Sequence, residues 1–126
     1  MRAGAMEVLV ADDNIFERID LSDRLRRRGL SVYKAGHAEQ ALKLMESHPS
    51  IGAIFSDLEM PGTMDGLALI HEVYHRWPGK RLVLFSGLNC PPAYEMPPNT
   101  QFLSKPVSRA DLDRTLERWL DLPQSA

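Results

Sequence analysis

Short apolar runs alternate along this chain with longer segments whose apolar residues recur every third or fourth position. EVLVAD (7–12), SVYKAG (31–36), IGAIFSD (51–57), KRLVLFSG (80–87) and TQFLSKP (100–106) have the length and content of strands, several of them fully buried. Between them, NIFERIDLSDRLRRRG (14–29) places Ile15, Ile19 and Leu25 at helical intervals, with Gly29 as a stop signal. AEQALKLMESHP (38–49) carries Ala38, Ala41, Leu42 and Met45 on one face and ends at Pro49. DGLALIHEVYHRWP (65–78) carries a stripe of Leu67, Ile70, Val73, Tyr74 and Trp77 and closes at Pro78. SRADLDRTLERWL (108–120) opens with a Ser108-to-Asp111 cap and carries Leu112, Thr115, Leu116, Trp119 and Leu120.

Strand–helix alternation of this kind predicts parallel strands with helices on both faces, an α/β doubly wound sheet. One crossing breaks the rhythm. LNCPPAYEMPPN (88–99) stands where a helix is due, and Pro91, Pro92, Pro97 and Pro98 exclude a full one. It predicts an ordered loop with at most one turn. No repeat, linker or low-complexity tract is present in the sequence, and one domain over residues 6–122 is expected, with flexible termini at 1–5 and 123–126.

Composition narrows the function classes. A chain of 126 residues can bury a core without staples, and its single cysteine, Cys90, allows no internal disulfide. A net charge of −2 gives no electrostatic case for nucleic acid or acidic membranes. No apolar stretch is long enough to span a bilayer, and a cytoplasmic location is expected.

Chemistry concentrates at strand ends. In open α/β sheets ligands bind beyond the carboxyl ends of the strands. The first strand ends in Asp12-Asp13, the third in Asp57, the fourth in Ser86-Gly87 and the fifth in Lys105-Pro106. Three clustered carboxylates stay ionised only beside a cation, and oxygen-only ligands suit Mg²⁺. A carboxylate can also accept a phosphoryl group, a transfer that needs mainly positioning and charge neutralisation. Singly these residues have ordinary readings: a turn and N-cap at Asp12-Asp13, a strand-end acid at Asp57. The set is more specific than its members.

VADDN (10–14), FSDLEMPGTMDG (55–66), LVLFSG (82–87) and FLSKP (102–106) together resemble the receiver domain of two-component response regulators over nearly the whole chain. The resemblance implies a flavodoxin-like five-stranded parallel sheet in the order 2-1-3-4-5. It makes Asp57 the phosphoacceptor and modified residue, with Mg²⁺ held by Asp12, Asp13, Asp57 and the backbone carbonyl of Glu59. It assigns Ser86 and Lys105 to the phosphoryl group, Ser86 and Phe102 to the switch, and a cis bond to Lys105–Pro106. The implied donor is a histidine kinase or histidine phosphotransfer protein, in bacterial signalling, with a protein target downstream. The implied domain is a monomer or weak dimer that acts on itself, not an enzyme with an external substrate.

The departures from the family are specific. MPGTMDG (60–66) is one residue longer than the commonest form, Glu59 sets an acid near the phosphoryl position, and Phe102 can switch only by packing. The proline-rich 88–99 segment replaces the family's fourth helix, leaving it short or absent, and is expected to reorder on phosphorylation. An alternative is a receiver-like protein-binding module that acts without phosphorylation. Two further alternatives rest on motifs. HEVYH (71–75) matches the H-E-x-x-H zinc signature, and Glu95 lies at the distance of a third ligand, but the helical wheel turns His71 and His75 toward the flank and solvent. A phosphatase of the haloacid-dehalogenase type needs Asp-x-Asp after the first strand. Here the pair is Asp111 and Asp113, in a helix's first turn. His37 and His48 sit at helix ends and read as surface residues.

Overall fold

The computed structural model describes residues 6–119, with side chains through 117. Its sheet is five-stranded and parallel, in the order β2-β1-β3-β4-β5. The elements run β1 (Glu7–Ala11), α1 (Ile15–Arg26), β2 (Ser31–Ala35), α2 (Ala38–Ser47), β3 (Ile51–Asp57), α3 (Gly66–Arg76), β4 (Arg81–Ser86), β5 (Gln101–Ser104) and α4 (Arg109–Trp119). Between β4 and β5 lies a single 3-10 turn, Ala93–Glu95. The proline pairs have the predicted effect, since none of their nitrogens can donate to a helix. Residues 120–122 and both expected flexible termini fall outside the described residues, as do the Trp119 side chain and Leu120.

Alternate strand residues feed two cores, which is why the strands read as continuous apolar runs. Val8, Val10, Phe55, Val83, Phe85 and Leu103 meet Leu21 and Leu25 of α1 and Leu112 and Leu116 of α4. On the other face Leu9, Ile54, Leu82 and Leu84 meet Ala38, Ala41 and Met45 of α2 and Leu69, Ile70 and Val73 of α3. Met96 and Phe102 pack, half-buried, against this second core.

Local signals hold most of the helices in place. Asn14 and Asp65 cap α1 and α3 by accepting from the backbone N–H of Glu17 and Ala68. His37 caps α2, its Nδ1 accepting from Gln40 at 3.3 Å. Gly29 takes φ +89° just past α1, the left-handed geometry that glycine tolerates. The Lys105–Pro106 bond is cis.

Two readings of helix faces need correction. Ile15 and Ile19 are 51% and 43% exposed, and Phe16 beside them is 81% exposed. The first turns of α1 are uncovered, and the packed stripe is Leu21, Ser22 and Leu25. In α3 the fully buried centre is Leu69, Ile70 and Val73, with Leu67, Tyr74 and Trp77 on its margins.

Candidate phosphoacceptor site

The carboxyl edge of the sheet brings Asp12, Asp57, Ser86 and Lys105 together. Asp57 ends β3 and is buried, and the Lys105 ammonium lies 3.2 Å from its Oδ2. Lys105 is set by a backbone bond from its N–H to the Ser86 carbonyl at 2.8 Å, which locks the end of β5 to the end of β4. The same ammonium is 4.0 Å from Asp12 Oδ2 and 5.4 Å from the centre of the Phe85 ring. Asp12 is fully buried. Its Oδ1 accepts from the Asn14 N–H at 2.9 Å, and its Oδ2 has no hydrogen-bond partner.

Glu17 joins this cluster, a role its position in the chain does not announce. Lys105 donates to Glu17 Oε1 at 2.6 Å, its shortest contact with a carboxylate. Asp12, Glu17 and Asp57 each offer one oxygen, all within 4.8 Å of one another. The signal was ambiguous: an acid three residues after Asn14 reads as helix capping and dipole compensation.

Asp13 and Glu59 lie outside that triplet. Asp13 is exposed and lines a groove with Glu59, Pro61, Asp65, Pro91 and Glu95. Glu59 donates its N–H to Asp57 Oδ1 at 3.3 Å, and its carboxylate turns to Ser86, whose hydroxyl donates to Oε2 at 2.6 Å. Phe102 is half-buried on β5, paired in register with Leu84.

The electrostatics are those of a cluster with more acid than one lysine can balance. Burial pushes the Asp12 carboxyl up to about 7, and the charge of Asp57 adds to that. Burial also raises Asp57, with Lys105 pulling partly back. For Lys105, burial works downward, but Glu17, Asp57 and Asp12 outweigh it and hold the ammonium above its ordinary value. A divalent cation fits this donor set. The buried Asp12 Oδ2 has no hydrogen-bond partner and only the distant Lys105 ammonium at 4.0 Å, so it has a lone pair to offer a cation, and every donor is an oxygen.

The sequence matches the response regulator receiver domain across residues 8–117. The chain belongs to that family. Receivers of this family serve two-component signalling, and the comparisons agree with the fold. A two-component response regulator of rice (Oryza sativa subsp. japonica), ORR5, is 31% identical over 124 residues, covering 94% of this chain and 92% of its own. A probable chemotaxis protein CheY of Rhizobium etli is 36% identical over 72 residues, 56% of this chain and 54% of that protein. The chain spans only 14% of the Escherichia coli sensor protein TorS, to which it is 25% identical. Among solved structures, a response regulator receiver protein from Sinorhizobium medicae superposes with a TM-score of 0.83 at 22% identity, covering 95% of this chain and 98% of that one.

The histidine motif goes elsewhere. His71 Nε2–H donates to the backbone carbonyl of Glu95 at 2.6 Å, and His75 Nδ1–H donates to the His71 carbonyl at 2.9 Å. The spacing from HEVYH to Glu95 therefore marks a real contact, made by a carbonyl and not by a carboxylate. Among the described residues, the carboxylates placed to share a metal include no histidine. The Asp111 N–H donates to the Ser108 hydroxyl, and Asp113 of α4 pairs with Arg28, two residues past the end of α1. Arg28 thus ties the turn after α1 to α4. His48 is also more than surface, its ring standing edge-on to Tyr33 at 4.4 Å. No described helix is long and apolar enough to cross a membrane.

Proposed function

We propose that this receiver is a phosphoacceptor switch in a two-component phosphorelay, with Asp57 as the acceptor and a phosphohistidine of a histidine kinase or phosphotransfer protein as the donor. It acts in the bacterial cytoplasm, as a monomer or weak dimer, and passes its state to a protein target. The observation that carries this reading is the buried Asp57 carboxylate set against Lys105, beside the unpartnered Oδ2 of Asp12.

Asp57 is the nucleophile. One of its carboxylate oxygens attacks phosphorus, a P–O bond forms, the P–N bond breaks, and its electron pair stays on the imidazole of the donor. Burial that raises Asp57 would leave it a poor nucleophile if it were protonated, so Lys105 must keep it ionised. Lys105 then balances charge on the transferred group. Asp12, Asp57 and the Glu59 carbonyl would hold Mg²⁺, with Asp13 at the mouth. A bound Mg²⁺ supplies charge neutralisation for the phosphoryl oxygens. Hydrolysis resets the site: water attacks phosphorus, the bond to the Asp57 oxygen breaks, and the carboxylate returns. The chain is no enzyme toward an external substrate in this scheme.

Intact mass after incubation with acetyl phosphate and Mg²⁺, beside Asp57→Asn, tests the proposal. One phosphoryl group added to the wild type only supports it. No addition, with Mg²⁺ binding shown by a rise in thermal stability, favours a binding module that acts without phosphorylation.

A further inference from the structure

The Ser86 hydroxyl is already engaged on both sides. It donates to Glu59 Oε2 at 2.6 Å and accepts from the Leu88 N–H at 2.9 Å. Ser86 is fully buried, whereas Glu59 is exposed and turns its carboxylate inward to reach it. A short bond between a hydroxyl and a carboxylate is charge-assisted, about twice as strong as a neutral one. Leu88 opens the proline-rich segment, so a continuous path runs from Glu59 through Ser86 to that segment. Glu59 also touches the acceptor, its N–H donating to Asp57 Oδ1 at 3.3 Å.

We propose that Glu59 is the resident anion of the switch: its carboxylate holds the Ser86 hydroxyl at rest, and phosphorylation is read out as the expulsion of that carboxylate while Ser86 changes partner. The inference rests on Asp57 being the phosphoacceptor. A serine hydroxyl has one proton to donate, so it cannot serve Glu59 and a phosphoryl oxygen at once. The anhydride uses up the carboxylate's own charge, but the phosphoryl group brings roughly −1.5 to −2 of its own and three strong acceptors, set further out toward Glu59, and it repels a neighbouring carboxylate. Glu59 has somewhere to go. A groove of about 740 Å³ opens beside it, lined by Asp13, Asp65, Pro91 and Glu95. Arrival of a further negative charge there faces Pro91 and Glu95, both in the 88–99 segment. Glu59 is therefore a positioning residue for Ser86, and the 88–99 segment is what it moves.

The test compares the full chain as wild type, Glu59→Ala and Glu59→Gln. The exposed position makes all three expected to fold. Backbone hydrogen exchange over 87–99 is measured first, in Mg²⁺ buffer without a phosphodonor. Glu59→Ala should exchange at least about tenfold faster, the worth of a hydrogen bond to a charged group, while the Gln carboxamide oxygen accepts only a neutral bond and should lie between Glu59→Ala and wild type. Phosphoryl uptake from acetyl phosphate is then followed by intact mass. Both variants should take it up faster than wild type, since no charge has to be expelled. Equal resting exchange in wild type and Glu59→Ala overturns the hold on Ser86. Phosphorylation of all three at one rate overturns the expulsion and leaves the acceptor intact. No addition to any of them overturns the acceptor reading, and the expulsion with it, while the resting exchange still decides the hold.

Discussion

Two crossings leave the same edge of the sheet, one after Asp57 and one after Ser86, and they are built in opposite ways. The first, residues 58–80, jams its helix against Asp57. The Gly66 N–H donates to the Leu58 carbonyl at 2.9 Å. A Cβ at Gly66 would fall on the carbonyl oxygen of Asp57 and stand 2.7 Å from its carbonyl carbon. Behind Gly66, α3 buries Leu69, Ile70 and Val73. The second crossing, residues 87–100, begins at Gly87, where an added Cβ would meet nothing within 4 Å. Leu88, Asn89 and Cys90 are exposed, Tyr94 is 86% exposed, and only Pro97 is buried with Met96 half-covered. Asp57 is fixed by a packed helix, and Ser86 is tied to a strap with little to hold it. Segments with few buried contacts open first. The asymmetry places stability on one side of the site and responsiveness on the other.

The sharpest way to break that comparison is Gly66→Ala. The new methyl meets backbone, which cannot swing aside as a side chain can, so α3 or the end of β3 must move. The expected cost is about 3 kcal/mol, the upper part of the usual overpacking range, read by chemical denaturation. Phosphoryl uptake should fall at least about tenfold, since small misplacements of a nucleophile are costly. Wild-type stability and uptake in this variant would show that the acceptor is not held by the start of α3.

The sequence announced most of this frame, because strands buried on both faces leave unbroken apolar runs and four prolines forbid a helix. It failed where a residue's role depends on what it faces. Ile15 and Ile19 keep helical spacing yet stay exposed, and spacing counts apolar residues without saying what covers them. Glu17 carried no signal beyond an acid in a helix's first turn, yet its carboxylate meets Lys105, 88 positions away. Asp12, Asp57, Ser86 and Lys105 were readable as a group because strand ends in a parallel sheet converge by topology alone. The bond between Glu59 and Ser86 was not, since it joins a strand end to a loop residue whose side-chain direction no periodicity fixes.

The acceptor side can also be tightened with metal. At a Mg²⁺ concentration 100 times its Kd, stability should rise by about 2.7 kcal/mol. The gain should depend on pH. Burial raises Asp12 from 3.8 to about 7, so the folded, metal-free protein holds that proton more tightly than the unfolded chain. The contribution of Asp12 to stability is then fully present below about pH 4 and is lost as pH climbs toward about 7, with Asp57 pushing the same way. Mg²⁺ favours the ionised carboxylates, so its stabilisation should grow over that interval. Melting curves at pH 5 and pH 8, with and without Mg²⁺, decide the matter, and equal shifts at both would remove the buried acids as its cause.

A smaller effect is expected where the two crossings touch. His71 of α3 donates to the Glu95 carbonyl at 2.6 Å, a side-chain tie from the rigid crossing to the loose one. His71→Ala should cost about 1 kcal/mol or less, the net worth of one hydrogen bond. Its mark should be local, with faster hydrogen exchange over 93–96 and no change in α3. Unchanged exchange there would mean that Met96 and Pro97 alone hold the strap.

The smallest expected effect is the counterpart of the first. Gly87 follows Ser86 much as Gly66 follows Asp57, but it has open space around it and its φ lies outside the left-handed region. Alanine can occupy both its backbone conformation and its surroundings. Gly87→Ala should leave stability within about 0.5 kcal/mol, as for a surface change away from special features, and phosphoryl uptake within about twofold. Alanine also narrows the unfolded ensemble, which offsets part of any cost. A loss as large as that of Gly66→Ala would sink the comparison, because the second crossing would then need its glycine as much as the first does. That need could arise only in a conformation of the strap other than the resting one, the state in which Ser86 has let go of Glu59.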